Sequence, residues 1–177
     1  MQIEPSADAF AKRYARGEPQ VVWTTLVADL ETPVSAFLKI AAGQPMSFLL
    51  ESVEGGAVRG RYSVLGLTPD VIWRAQGLKA EITRAADTRS TRYPPCEAPP
   101  LDALRALIAE SRIDLPENLP PMAAGIFGYL GYDIVRLMEE LPRPNPDPIR
   151  IPDAIMIRPT IVVVFDSVKD TITCGSR

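Results

Sequence analysis

The stretch from Ser47 to Leu67 constrains the fold of this chain more than any other. Ser47-Phe48-Leu49-Leu50-Glu51-Ser52 is an apolar run that ends in a carboxylate and a hydroxyl. Glu54-Gly55-Gly56 follows as a turn, and Gly60-Arg61-Tyr62-Ser63 leads back through a second apolar run. The pattern predicts two antiparallel strands, 47–53 and 58–67, joined across the glycines. Alternation along the first strand sends Leu50 and Ser52 to one face, Leu49 and Glu51 to the other. If Leu50 faces the core, Ser52 is a buried hydroxyl that needs a partner from protein, water or ligand. A buried strand end with a carboxylate and a hydroxyl suits a small zwitterion.

Further elements follow from punctuation and periodicity. Ser6 can cap a short helix through Tyr14 that Gly17 ends. Residues 20–27 read as a strand. Thr32 as N-cap, Pro33 at the first helical position and Gly43 as stop mark a helix. Val71 to Ala75 and Leu78 to Thr83 flank Gln76-Gly77 as a tight hairpin. Leu101, Leu104, Leu107 and Ile108 recur at helical spacing to about Ser111. Residues 123–133 predict a strand passing into a helix that reaches Glu140. Ala154 to Phe165 and Thr171 to Cys174 bracket a final hairpin. Residues 85–100 and 142–152, with four and five prolines, are surface connections. Strands in hairpins with interspersed helices and no regular βαβ alternation give an α+β fold with a largely antiparallel sheet and helices packed on it. The 177 residues are expected to form one domain.

Composition excludes several classes. The chain has no histidine, which removes Ser-His, Cys-His and His-metal mechanisms. Cys96 and Cys174 lie far apart in no ligand-spaced cluster and read as free thiols, so neither a metal site nor a catalytic residue is assigned. A net charge of -3 and a pI near 5.1 argue against nucleic acid. No apolar run reaches the roughly 18 residues of a membrane span. Residues 1–5 lack the character of a signal peptide, so the expected location is the cytoplasm. Gly125, Gly128 and Gly131 match neither the dinucleotide fingerprint nor a P-loop and read as sites of close backbone packing. Asp133, Glu139 and Glu140 read as a solvated helix face, and Trp23 and Trp73 as core.

Four blocks, taken together, resemble anthranilate synthase component I, of the chorismate-utilising enzymes. They are residues 47–54, Gly60-Arg61-Tyr62-Ser63 with Gly66, Gly125 to Asp133, and Ile151-Pro152-Asp153-Ala154 running into Val162-Val163-Val164-Phe165-Asp166. They stand in the family's order and span almost the whole chain. The resemblance implies the N-terminal half of the chorismate-utilising sandwich, a regulatory domain of an enzyme that makes anthranilate from chorismate and glutamine or ammonia. It implies that the catalytic domain, with its chorismate and Mg²⁺ sites, lies outside these residues, so no cofactor is expected here. It also implies an L-tryptophan feedback site at Leu50, Glu51 and Ser52, with Arg61 on the facing strand as a further candidate. Implied partners are the C-terminal chorismate-binding domain and a glutamine amidotransferase subunit, for which the two proline-rich connections are candidate docking surfaces. Aminodeoxychorismate synthase component I is the alternative within the superfamily.

Overall fold

A computed structural model describes residues 2–53, 59–84, 92–142 and 146–177, apart from the side chains of Ser52, Val53 and Arg59. The expected turn at Glu54-Gly55-Gly56, part of the 85–100 connection and Pro144 lie outside the described residues. The elements, in order, are α1 (Ala7–Ala15), β1 (Val22–Val27), α2 (Pro33–Ile40), β2 (Phe48–Val53), β3 (Arg59–Gln76), β4 (Lys79–Arg84), α3 (Pro100–Glu110), β5 (Phe127–Leu130), a 3₁₀ helix (Tyr132–Leu137), β6 (Ala154–Asp166) and β7 (Thr171–Ser176). The described strand registers are antiparallel, which bears out the α+β reading. Contacts divide the chain into two compact units, one of residues 1–69, 113–125 and 159–177, the other of residues 70–112 and 126–158.

In the first unit the strands run β1-β7-β6-β3-β2, which leaves β2 at the end of the order. Leu65, Val163, Phe165 and Ile172 form a buried cluster, with Leu49, Cys174 and the α2 residues Ala36 and Phe37 against it. Alternation turns Val64, Val162 and Val164 to the opposite face, and all three are buried. Val21, Leu119 and Ala123 form a second cluster, with Trp23 packed on it. A Cβ on Gly175 would stand 3.3 Å from Val21, so this cluster closes directly onto β7. α2 is fixed at its start by a full capping box: the Thr32 hydroxyl accepts from the Ser35 amide, and Ser35 Oγ accepts from the Thr32 amide.

In the second unit β4 pairs with the later part of β3, and β5 pairs with the start of β6. Val71, Trp73, Ala75, Ala80, Ala154 and Ile134 pack with Leu104 and Leu107 of α3. Gly77, at φ +53°, makes the tight β3–β4 turn in the left-handed region and donates its amide to Asp153 Oδ2 at 2.6 Å. Arg158 forks onto Asp70 at 2.8 and 2.7 Å and reaches Ser111 Oγ.

Two sequence expectations change. The two strands predicted over 58–67 and 71–75 are one strand, because Thr68 takes φ +45° instead of ending the ladder. Thr160 Oγ lies 2.7 Å from both the hydroxyl and the carbonyl of Thr68, which supplies local partners beside Pro69. The helix predicted to Glu140 is a 3₁₀ helix ending at Leu137. Arg136 bonds Asp133 three residues back and also the Pro142 carbonyl, a spacing that suits the three-residue turn.

Candidate ligand cleft at the end of strand β2

β2 owes its place to direct pairing with β3: Phe48 opposes Gly66, Leu49 opposes Leu65, Leu50 opposes Val64, and Glu51 opposes Ser63. Regular pairing then fails. Val53 opposes Arg59, a register shift of the kind a β-bulge makes. Between these pairs β2 has one residue, Ser52, and β3 has three, Gly60, Arg61 and Tyr62, so the extra residues lie on β3; the Ser52 side chain lies outside the described residues. Leu49 takes the inward position against the Leu65 cluster, and Leu50 on the other face is 52% exposed. The premise that Leu50 faces the core is corrected: the strand is last in its order, and its Val64 face opens here into a cleft.

That cleft has a volume of about 350 Å³ and is lined by Leu50, Glu51, Arg61, Tyr62, Val64 and Met122. Three of the four sequence candidates, Leu50, Glu51 and Arg61, are thus brought together. Leu50 and Val64 give apolar wall, and Tyr62 lies two residues from Val64 on the same side of β3. Glu51 supplies an exposed carboxylate. Arg61 supplies a guanidinium 4.8 Å from the Tyr62 ring.

Arg61 is not free to swing. Its Nε donates to Asp166 Oδ1 and Oδ2 at 3.1 and 3.2 Å, and its Nη2 donates to Oδ2 at 2.8 Å. Asp166 is buried and also accepts from the amides of Val168 and Lys169. The Arg61 hydrogen bonds hold the Asp166 carboxyl below the usual aspartate range; burial opposes this and the two turn amides add to it. The same pairing raises the Arg61 guanidinium.

Sequence reasoning missed Tyr62, Val64, Met122 and Asp166. The first two were recoverable from the hairpin register, since Val64 opposes Leu50. Asp166 stands at the end of a recognised block but is far from Arg61 in sequence, and Met122 sits in a segment without periodicity. Among the described residues no group of three or more His, Cys, Asp or Glu gathers as a metal site. Two of the three glycines serve packing: a Cβ on Gly128 would collide with the Ile155 carbonyl, and one on Gly131 would come within 2.9 Å of the Asp153 carbonyl. Among the described residues no helix is long and apolar enough to cross a membrane.

The geometry defines a class: an α+β chain with an antiparallel sheet and a cleft where the β2–β3 register shifts. Comparison narrows it. No family model matches the chain. Anthranilate synthase component 1 of Cereibacter sphaeroides is 51% identical over 168 residues, 95% of this chain and 34% of the relative. That of Synechocystis is 39% identical over 170 residues, 94% of this chain and 32% of the relative. The crystal structure of anthranilate synthase component I from Streptococcus pneumoniae matches with a TM-score of 0.53 at 22% identity, covering 83% of this chain and 30% of that one, and supports the fold. The homologues of this chain are anthranilate synthase component I proteins, as the four sequence blocks imply. The chain spans about a third of the length of these relatives.

Proposed function

We propose that these residues form the regulatory N-terminal part of a cytoplasmic anthranilate synthase component I, and that the cleft at the end of β2 receives L-tryptophan as feedback inhibitor. The observation that carries the reading is the convergence of an acid, a cation and apolar wall on a bulged strand end, in a chain 51% identical to such a protein. A zwitterionic aromatic amino acid needs all three kinds of group. Glu51 suits its ammonium, Arg61 its carboxylate, and Leu50 one side of its indole, while the Ser52 hydroxyl can bond its polar end. The remaining pocket wall comes from the chorismate-binding domain beyond these residues, where the reading also assigns catalysis and Mg²⁺. No catalytic step is assigned to the residues here.

Inhibition is then a population shift. Tryptophan binds most tightly to one placement of the two parts, a placement poor for chorismate turnover, and acts only through that difference in affinity. The glutamine amidotransferase subunit is the proposed ammonia-supplying partner. The test is Ser52→Phe in the full-length enzyme: the tryptophan concentration for half inhibition of anthranilate formation should rise at least about tenfold, within the range of allosteric coupling. Inhibition identical to wild type rules out the role assigned to Ser52.

A further inference from the structure

Asp166 ties Arg61 to the β6–β7 turn. Its carboxylate takes the Nε and Nη2 hydrogens of Arg61 and the amides of Val168 and Lys169. The residue between, Ser167, donates its amide to the Arg61 carbonyl at 2.9 Å and its hydroxyl to the same oxygen at 3.0 Å. The β6–β7 turn thus grips Arg61 at both its backbone and its guanidinium. Among the described residues Arg61 Nη1 makes no hydrogen bond, and the side chain is 44% exposed where it lines the cleft beside Glu51.

We propose that Asp166 is the positioning residue of the cleft, fixing Arg61 so that its outer N–H edge is already aimed at the carboxylate of an amino-acid effector. The proposal rests on the tryptophan reading of the cleft and adds a residue to it. An unanchored arginine would lose its rotamer freedom on meeting the ligand, and here that ordering is done on folding. A guanidinium has two bidentate edges: the Nε–Nη2 edge is spent on Asp166, and the Nη1–Nη2 edge remains for a second carboxylate. A purely structural role, in which Arg61 only neutralises a buried acid, predicts the same ion pair but no effect on effector affinity beyond lost stability.

A double-mutant cycle in the full-length enzyme separates the two. Asp166→Asn, Arg61→Gln and the pair together are each assayed for half inhibition by L-tryptophan, every variant normalised to its own uninhibited rate. Each single change should raise the half-inhibitory concentration about tenfold, and the double variant should be no worse than Arg61→Gln, because Asp166 acts through Arg61. Should Asp166→Asn not accumulate as folded protein, Asp166→Glu keeps the charge, displaces the carboxylate by one methylene and should give the same shift. Additive effects, or unchanged inhibition in an Asp166 variant with a lowered melting midpoint, overturn the proposal. If Ser52→Phe and Arg61→Gln relieve inhibition and the Asp166 variants do not, the cleft keeps its effector and only the positioning role falls. A wild-type enzyme insensitive to tryptophan overturns both.

Discussion

Gly66 is where the hold of β3 on β2 can be measured. It opposes Phe48, and a Cβ built at Gly66 would overlap the tip of the Phe48 ring and stand 3.1 Å from its Cδ1. In Gly66→Ala the ring must leave its seat. Forcing an extra carbon into such a contact costs about 1–3 kcal/mol. Against this, replacing a strand glycine by alanine restricts the unfolded chain and returns about 0.4–1 kcal/mol. The balance is a net loss of about 1–2 kcal/mol, which for a chain of this size lowers the melting midpoint by roughly 2–8 °C. The sign depends on Phe48, so the control is built in. In a Phe48→Leu background the obstacle is gone, and Gly66→Ala should be neutral or stabilising. Reversible thermal or urea unfolding of the four proteins closes the cycle. If Gly66→Ala costs the same in both backgrounds, or stabilises the Phe48 protein, the account of why glycine stands in this block is wrong.

Two further predictions concern the turn and the second unit. Because Asp166 titrates below its unfolded value of about 3.9, its contribution is present above that value and is lost as pH falls through the lower folded value. The midpoint of thermal unfolding should therefore drop on acidification below about pH 4, and Asp166→Asn should flatten that part of the profile; an unchanged slope refutes the linkage. Gly128→Ala sets its Cβ against the Ile155 carbonyl, which is backbone and cannot turn aside as a ring can. It should cost more than Gly66→Ala, about 3 kcal/mol or above, with hydrogen exchange rising first at the β5 amides.

The elements were legible where a local rule had no competitor. Thr32-Pro33 carries its cap and its φ restriction in adjacent residues, and α2 starts where they say. Gln76-Gly77 needs one left-handed residue, and glycine supplies it. Local rules lost where a distant strand supplied what the segment lacked. Thr68-Pro69 reads as a break until Thr160, 92 residues later, provides hydrogen-bond partners for Thr68. The segment after Gly131 has helical periodicity, but Arg136 holds both Asp133 and the Pro142 carbonyl and tightens it to 3₁₀. The cleft divides the same way. Leu50, Glu51 and Arg61 stand in two adjacent blocks of the family resemblance, which is what singles them out, whereas Asp166 lies 105 residues from Arg61 and no spacing rule joins them.

The irregularity at the end of β2 answers two demands at once. A strand at the end of its sheet order presents unpaired amides and carbonyls to other chains, and a register shift is one way such an edge is kept from pairing. The extra residues of the shift lie on β3, and two of them, Arg61 and Tyr62, line one cleft with Leu50 and Glu51. Side chains of both strands thereby converge where the regular ladder ends. The end of a ladder is also where local opening is easiest. The pairing of Arg61 with the buried Asp166 gives this end of the cleft one fixed point.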